Sequence, residues 1–269
     1  MAGMIRQPVV AGKFYTGDPD RLREELSAMV PQGDAQSALG IVAPHAGYVY
    51  SGKVAGKVYS AVRIPDTVLV LGPNHTGAGS AAALSPDTEW LTPLGAVPVN
   101  RRLSQLILEH APLVREDALA HRFEHSLEVQ VPFLQYRNPD VTIAAVCLAI
   151  PDFPSLARIG EGIAKAIAAY GEEVLIVASS DMTHYESAAQ AKAKDDLALA
   201  QLADMNPEGL LRVCRDKGIT MCGVIPAVVM MVAAKNLGAT SCRLVNYATS
   251  GEVNGDLRNV VAYASLVVS

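Results

Sequence analysis

The chain has 269 residues, half of them apolar and 18% charged, with a formal net charge of −5. That composition can bury a substantial core, so a disordered chain is excluded. No Lys/Arg block occurs, which argues against nucleic acid and anionic membranes as partners. The longest apolar run, Val224 to Ala234, has 11 residues and contains Pro226, too short to span a bilayer.

Met1 to Tyr15 reaches Arg6 and Lys13 without an apolar stretch of secretory length. Cys147, Cys214, Cys222 and Cys242 lie far apart and form no CxxC pair. The expectation is a cytoplasmic protein with reduced thiols. Asp18-Pro19 then reads as a helix cap and first residue, opening a helix over 20–30. Short apolar runs at 39–43 and 67–71 read as strands. Residues 81–84 and 88–99 are expected to form hairpins. Asn100 caps a helix over 101–110, whose Leu103, Leu106 and Ile107 make one stripe. A further helix is expected from about His125 towards Tyr136.

The next strand, 141–149, precedes a helix over 155–170 that Pro154 opens and Gly171 closes. Strand 173–178 follows. The helix predicted over 188–205 has a face of Lys192, Lys194, Asp195 and Asp196, read as solvated. Asn206-Pro207 opens a helix over 208–217 that ends at Gly218, and an apolar helix runs to Lys235. Strands at 243–247 and 260–268 complete the chain. Several strands are apolar without alternation, as expected when helices cover both sheet faces. No linker or repeat divides the chain. The fold class expected is α/β, one domain over residues 1–269, with a mixed, mostly parallel sheet sandwiched between helical layers.

Three histidines fall just beyond apolar strands: His45 in residues 43–48 (APHAGY), His75 in 71–75 (LGPNH) and His184 in 179–184 (SSDMTH). Each alone reads as an ordinary loop residue. Three on one sheet edge suggest a site, because ligand sites of open α/β sheets assemble there. Imidazole ligates transition metals and titrates near neutrality, so the cluster suits metal binding or acid–base work. His125, in residues 124–126 (EHS), reads either as a polar first turn or as a substrate-orienting imidazole kept neutral by a helix N-terminus. Asp181 either orients an imidazole or caps a turn. Cys222 precedes the apolar helix, where a helix N-terminus is expected to lower its thiol pKa. A thiolate with imidazoles would suit Fe(II), Cu or Zn, and spacing does not choose among them. His110 and His121 are given no role. Ser179-Ser180 follows a strand, but nothing local supplies an oxyanion hole.

At these residues the chain resembles the Memo-like family, whose bacterial and archaeal members are called AmmeMemoRadiSam system protein B. Cys222-Gly223, residues 246–248 (NYA), Tyr263 and the opening 11–15 (AGKFY) also look alike. The resemblance implies the fold of the LigB-like class III extradiol dioxygenases, which hold Fe(II) with two His and one Glu. It implies His45 and His75 as metal ligands, with Cys222 standing where those enzymes have Glu. It further implies His184 as the acid–base residue, Asp181 as its neighbour and His125 in the substrate pocket.

Fe(II) is then the first cofactor expected, with Cu or Zn as alternatives. The activity implied is a dioxygenase-like oxidoreductase on an unidentified small molecule, in a pathway with radical-SAM and AMMECR-type proteins. Thiolate in place of carboxylate forbids carrying over ring cleavage itself. The alternatives are a non-catalytic iron- or copper-binding protein, a peptide-docking protein and, third, a zinc hydrolase. Homo-oligomers are also expected.

Overall fold

Within one central strand, Leu69 and Leu71 point to one side and Val68 and Val70 to the other, and all four are buried. A strand buried on both faces needs a layer on each side, and that requirement organises the molecule. The computed structural model describes residues 4–269. In chain order the strands are β1 (Ile5–Arg6), β2 (Gly40–Ala43), β3 (Thr67–Pro73), β4 (Ala82–Leu84), β5 (Glu89–Thr92) and β6 (Gly95–Pro98). They continue with β7 (Arg115–Glu116), β8 (Thr142–Leu148), β9 (Val174–Ser179), β10 (His184–Glu186), β11 (Cys242–Thr249) and β12 (Val260–Val268). The helices are α1 (Pro19–Met29), α2 (Tyr48–Ala61), α3 (Arg101–His110), α4 (Ala118–His121) and α5 (Val131–Arg137). After them come α6 (Phe153–Tyr170), α7 (Ala188–Ala203), α8 (Pro207–Lys217), α9 (Val224–Asn236) and α10 (Gly251–Asn254).

The main sheet has the order β10-β12-β2-β9-β3-β8-β4-β7, with β11 also paired to β12. Its centre, β2-β9-β3-β8, is parallel, while β12 joins β2 and β4 joins β8 antiparallel. The fold class is therefore α/β with a mixed sheet between helical layers, as the sequence predicts. One layer comprises α3, α6, α7, α8 and α9, supplying Ile107, Ile163, Leu202, Leu210 and Met231. The opposite layer contains α1, α2 and α5, supplying Leu26, Tyr59 and Phe133. The uninterrupted apolar run at 224–234 becomes α9, which lies between the sheet and helices α6 and α8. No described helix is long and apolar enough to cross a membrane.

The predicted caps form: Asp18, Asn100 and Asn206 accept from the backbone N–H of Arg21, Leu103 and Gly209, and Gly171 and Gly218 close α6 and α8 with positive φ. Four expectations change. Residues 82–84 join the main sheet beside β8 instead of making a hairpin, whereas β5 and β6 do form one and pair with β1. Helix α2 arises where no helix is predicted. The run expected to be helical from about His125 is a regular α-helix only from Val131; a turn closed by Val129 N–H to the His125 carbonyl leads through a short 3-10 turn at Glu128–Gln130 into α5. Asp195 is not solvated but fully buried, because its carboxylate accepts from Thr183 N and Oγ1 and from Tyr247 OH, pinning α7 beneath the loop before His184.

Candidate metal centre

Strands β2, β3 and β9 run parallel, so their C-terminal ends open on one edge. His45 stands two residues past β2 and His75 two past β3, while Asp181 and His184 follow β9. Cys222 reaches the same edge from the loop before α9. There Gly223 packs so closely that an added Cβ would run into the Ser179 carbonyl and Ser180. Together with the 124–126 loop these elements line a solvent-open cavity of about 580 Å³. Phe14, Tyr185 and Val261 supply its apolar lining, and the four histidines and Cys222 its donors.

The imidazoles of His45, His75 and His125 meet there. Each offers a ring nitrogen, and these atoms lie within 4.8 Å of one another. The rings of His75 and His125 stack with centroids 4.8 Å apart, and that of His45 stands edge-on to both. Cys222 Sγ lies 3.2 Å from Nε2 of His45 and also accepts from the Asp181 N–H. Sequence reasoning brings His45, His75 and Cys222 together; the structure places His125 with them.

Second partners orient the rings. The buried Glu124 carboxylate accepts from both Nδ1 (2.9 Å) and the backbone N–H (2.6 Å) of His75. Nδ1 of His125 lies 3.5 Å from the same carboxylate. Nδ1 of His184 lies 3.1 Å from the carbonyl of Thr220, an atom that only accepts. For His75 and His184 Nδ1 therefore carries a proton, and in the neutral imidazole the lone pair lies on Nε2. Sequence reasoning passed over Glu124 and Thr220 as partners, although Glu124 stands inside the EHS segment.

Burial disfavours the charged form of two of these rings, His45 and His125. Burial, reinforced by the His125 and His75 rings, pushes His45 well below the usual imidazole range. Burial likewise lowers His125, opposed by Glu124 and aided by His75. Although burial opposes its charge, the hydrogen bonds from His75 and Ser126 hold Glu124 down at about 2. The Asp181 carboxyl is pushed up to about 6 by burial, with the N–H groups of His45 and Ala46 opposing. Asp181 thus holds the backbone of the His45 loop and hydrogen-bonds no imidazole. The lowered thiol pKa expected for Cys222 is not found. Burial and the Asp181 carboxylate raise it, outweighing the hydrogen bonds from Asp181 and Gly223 N–H.

The sequence model of the family described as Memo-like protein matches residues 6–267. The chain belongs to the Memo-like family. Its relatives include MEMO1 family proteins of Methanosarcina barkeri, 42% identical over 98% of this chain and 100% of the relative, and of Methanopyrus kandleri, 38% identical over 98% and 99%. One from Aquifex aeolicus is 39% identical over 98% of each chain. Among solved structures, an uncharacterized protein from Escherichia coli K12 superposes with a TM-score of 0.53 at 15% identity, covering 78% of this chain and 89% of that one. That likeness concerns the fold alone. In the Memo-like chain, then, a group of three histidines can hold a metal ion. The donor chemistry fits: burial disfavours the charged form of His45 and His125, His75 turns its Nδ1 to Glu124 and so leaves Nε2 for a metal, and a thiol adjoins His45.

Proposed function

We propose that this Memo-like protein is a metal-dependent oxidoreductase that binds Fe(II) and acts on a small molecule entering the cavity. The observation that carries the reading is the convergence of the His45, His75 and His125 ring nitrogens within 4.8 Å, with Cys222 touching His45. His45 and His75 would hold the metal, with Cys222 or His125 as the third donor. When bound, Fe(II) supplies Lewis acidity and one-electron chemistry at positions open to a small molecule.

The chain's own groups divide the remaining work. Thr220 holds the His184 ring through Nδ1, leaving Nε2 to accept or return a proton at the cavity wall. Asp181 braces the His45 loop through two backbone N–H groups. Phe14 packs on the His125 ring and, with Val261, gives part of the cavity wall an apolar surface. By family resemblance the protein acts alongside radical-SAM and AMMECR-type proteins, and its four free cysteines suit a cytoplasmic setting.

Metal content and affinity after anaerobic purification and Fe(II) reconstitution test the reading. Wild type should take up near-stoichiometric iron, and His45→Ala should abolish it. Cys222→Ser and His125→Ala identify the third donor by which of them weakens binding. The loaded protein should then consume oxygen with some member of an aromatic-diol or enediol panel. No iron in any variant overturns the iron reading. A second reading, copper binding without turnover, is favoured by the thiol beside His45, a soft donor. Tight copper uptake with no oxygen consumption would select it.

A further inference from the structure

Behind His45 lies a buried polar chain that the proposed function does not itself explain. Tyr59, Gln130 and Ser179 have essentially no exposed surface, so water cannot substitute for any partner. The Gln130 side-chain nitrogen lies 3.0 Å from the Pro44 carbonyl and 3.3 Å from that of Ala43. Both are acceptors only, so this atom is the amide NH₂, and Oε1 is the atom that accepts from Tyr59 OH at 2.8 Å. Gln130 Nε2 then donates to Ser179 Oγ at 2.7 Å. The single hydroxyl proton of Ser179 goes to the Ser126 carbonyl, 2.7 Å away, which again can only accept. Ser179 has no proton left for the atom 2.9 Å from it, Nδ1 of His45. That nitrogen must be the donor.

We infer that Ser179, held as an acceptor by Gln130 and the Ser126 carbonyl, is a positioning residue that locks His45 in the Nδ1–H tautomer. The inference rests on the metal reading above, which it deepens. Its consequence lies at the other nitrogen: Nε2 keeps its lone pair and faces Cys222 and the histidine group. In the opposite tautomer Nε2 would carry a proton at that position and could not ligate. The same hydroxyl joins the end of β9 to the loop bearing Glu124 and His125, and Ser126 Oγ ties that loop to the Pro73 carbonyl at the end of β3. One buried serine therefore sets both the protonation site of one ring and its placement against the other two.

The test is a long-range proton–nitrogen correlation spectrum of metal-free protein labelled with ¹⁵N in its histidine rings, at a pH where the rings are neutral. The His45 signals are identified by their absence from His45→Gln. Wild type should show a protonated Nδ1 and a bare Nε2 at His45. Ser179→Ala should shift the ring towards Nε2–H and weaken Co²⁺ binding by about tenfold to a hundredfold. Ser179→Thr, which keeps the hydroxyl, should restore both. A purely structural serine would lower the unfolding midpoint without moving the tautomer ratio. The inference is overturned by Nε2–H in wild type, or by Ser179→Ala with unchanged tautomer and Co²⁺ affinity. Should Ser179→Ala not fold, the wild-type spectrum and Ser179→Thr still decide. The expected tautomer in a wild type that takes up no Co²⁺ supports the lock and overturns the metal reading alone.

Discussion

Cys222 Sγ and His45 Nε2 face each other at 3.2 Å across the floor of the cavity, 177 residues apart in sequence. With the His45 proton on Nδ1, the contact is a thiol donating to a bare imidazole nitrogen. Burial and the Asp181 carboxylate raise the thiol pKa, so the protein stores this sulfur as S–H. Of the four cysteines it alone is partly exposed. Iodoacetamide should therefore modify Cys222 first, but slowly. In metal-free protein the rate should climb about tenfold per pH unit from pH 7 to pH 9, following the thiolate fraction. Peptide mapping by mass spectrometry reads the rate. A plateau already at pH 7 would mean that the thiolate is the resting form.

Glu124 holds His75 by two bonds and also accepts from the N–H of Ser126. Glu124→Gln keeps the shape but removes the charge and places a donor where only acceptors fit. Metal affinity should fall by about tenfold to a hundredfold. Stability should fall by about 1–3 kcal/mol, because a buried donor loses its partner. Co²⁺ titration and urea unfolding measure the two effects separately. Unchanged affinity would show that His75 needs no orienting partner.

The sheet edge was legible because its strands are apolar runs that end at Pro44, Pro73 and Ser179-Ser180, so the histidines beyond them could be placed together. Helix α2 was not. It contains Gly52 and Gly56 and several β-branched and aromatic residues, all poor local signals for a helix. Tertiary packing explains those glycines: a Cβ at Gly56 would run into the backbone of Met29, so they let α1 lie against α2. Asp195 was misread because its pattern along α7 matches a solvated face. Its partners, Thr183 and Tyr247, lie 12 and 52 residues away. The orienting groups share that difficulty. Glu124 acts on a ring 49 residues distant and Ser179 on one 134 residues distant, and no local spacing encodes such pairs.

Arg6 ties the N-terminal segment to the site loop. Its guanidinium donates to the Glu128 carboxylate at 2.7 Å and to the carbonyls of Glu124 and His121, and it lies over the Trp90 ring. Glu128 in turn accepts from the N–H groups of Val9 and Val10 and from Tyr15 OH, fixing the stretch that carries Phe14 to the cavity. Arg6→Met leaves that carboxylate buried and unpaired and should cost about 3–5 kcal/mol. Arg6→Lys should recover only part of it, because an ammonium cannot reproduce the planar fork. Urea unfolding with an unchanged m-value checks both. A loss below about 1 kcal/mol would mean that water replaces the guanidinium.

The pH dependence of folding has a source outside the metal centre. His121 is buried beside Trp90, and its Nε2 donates to the Ala83 carbonyl, while Nδ1 has no partner among the described residues. Burial, with the Arg6 charge adding to it, pushes its pKa down to about 4. The unfolded chain, with an ordinary imidazole, binds this proton first as the pH falls. Stability from His121 is therefore fully present above about pH 6.5 and is lost between there and about pH 4, by about 3 kcal/mol. His45 and His125 slope in the same sense, so the comparison must isolate one residue. In His121→Gln, urea unfolding free energies should fall less steeply than in wild type over that window and run parallel to it above pH 7. Equal slopes in the two proteins would mean that His121 is protonated at no cost in the folded state.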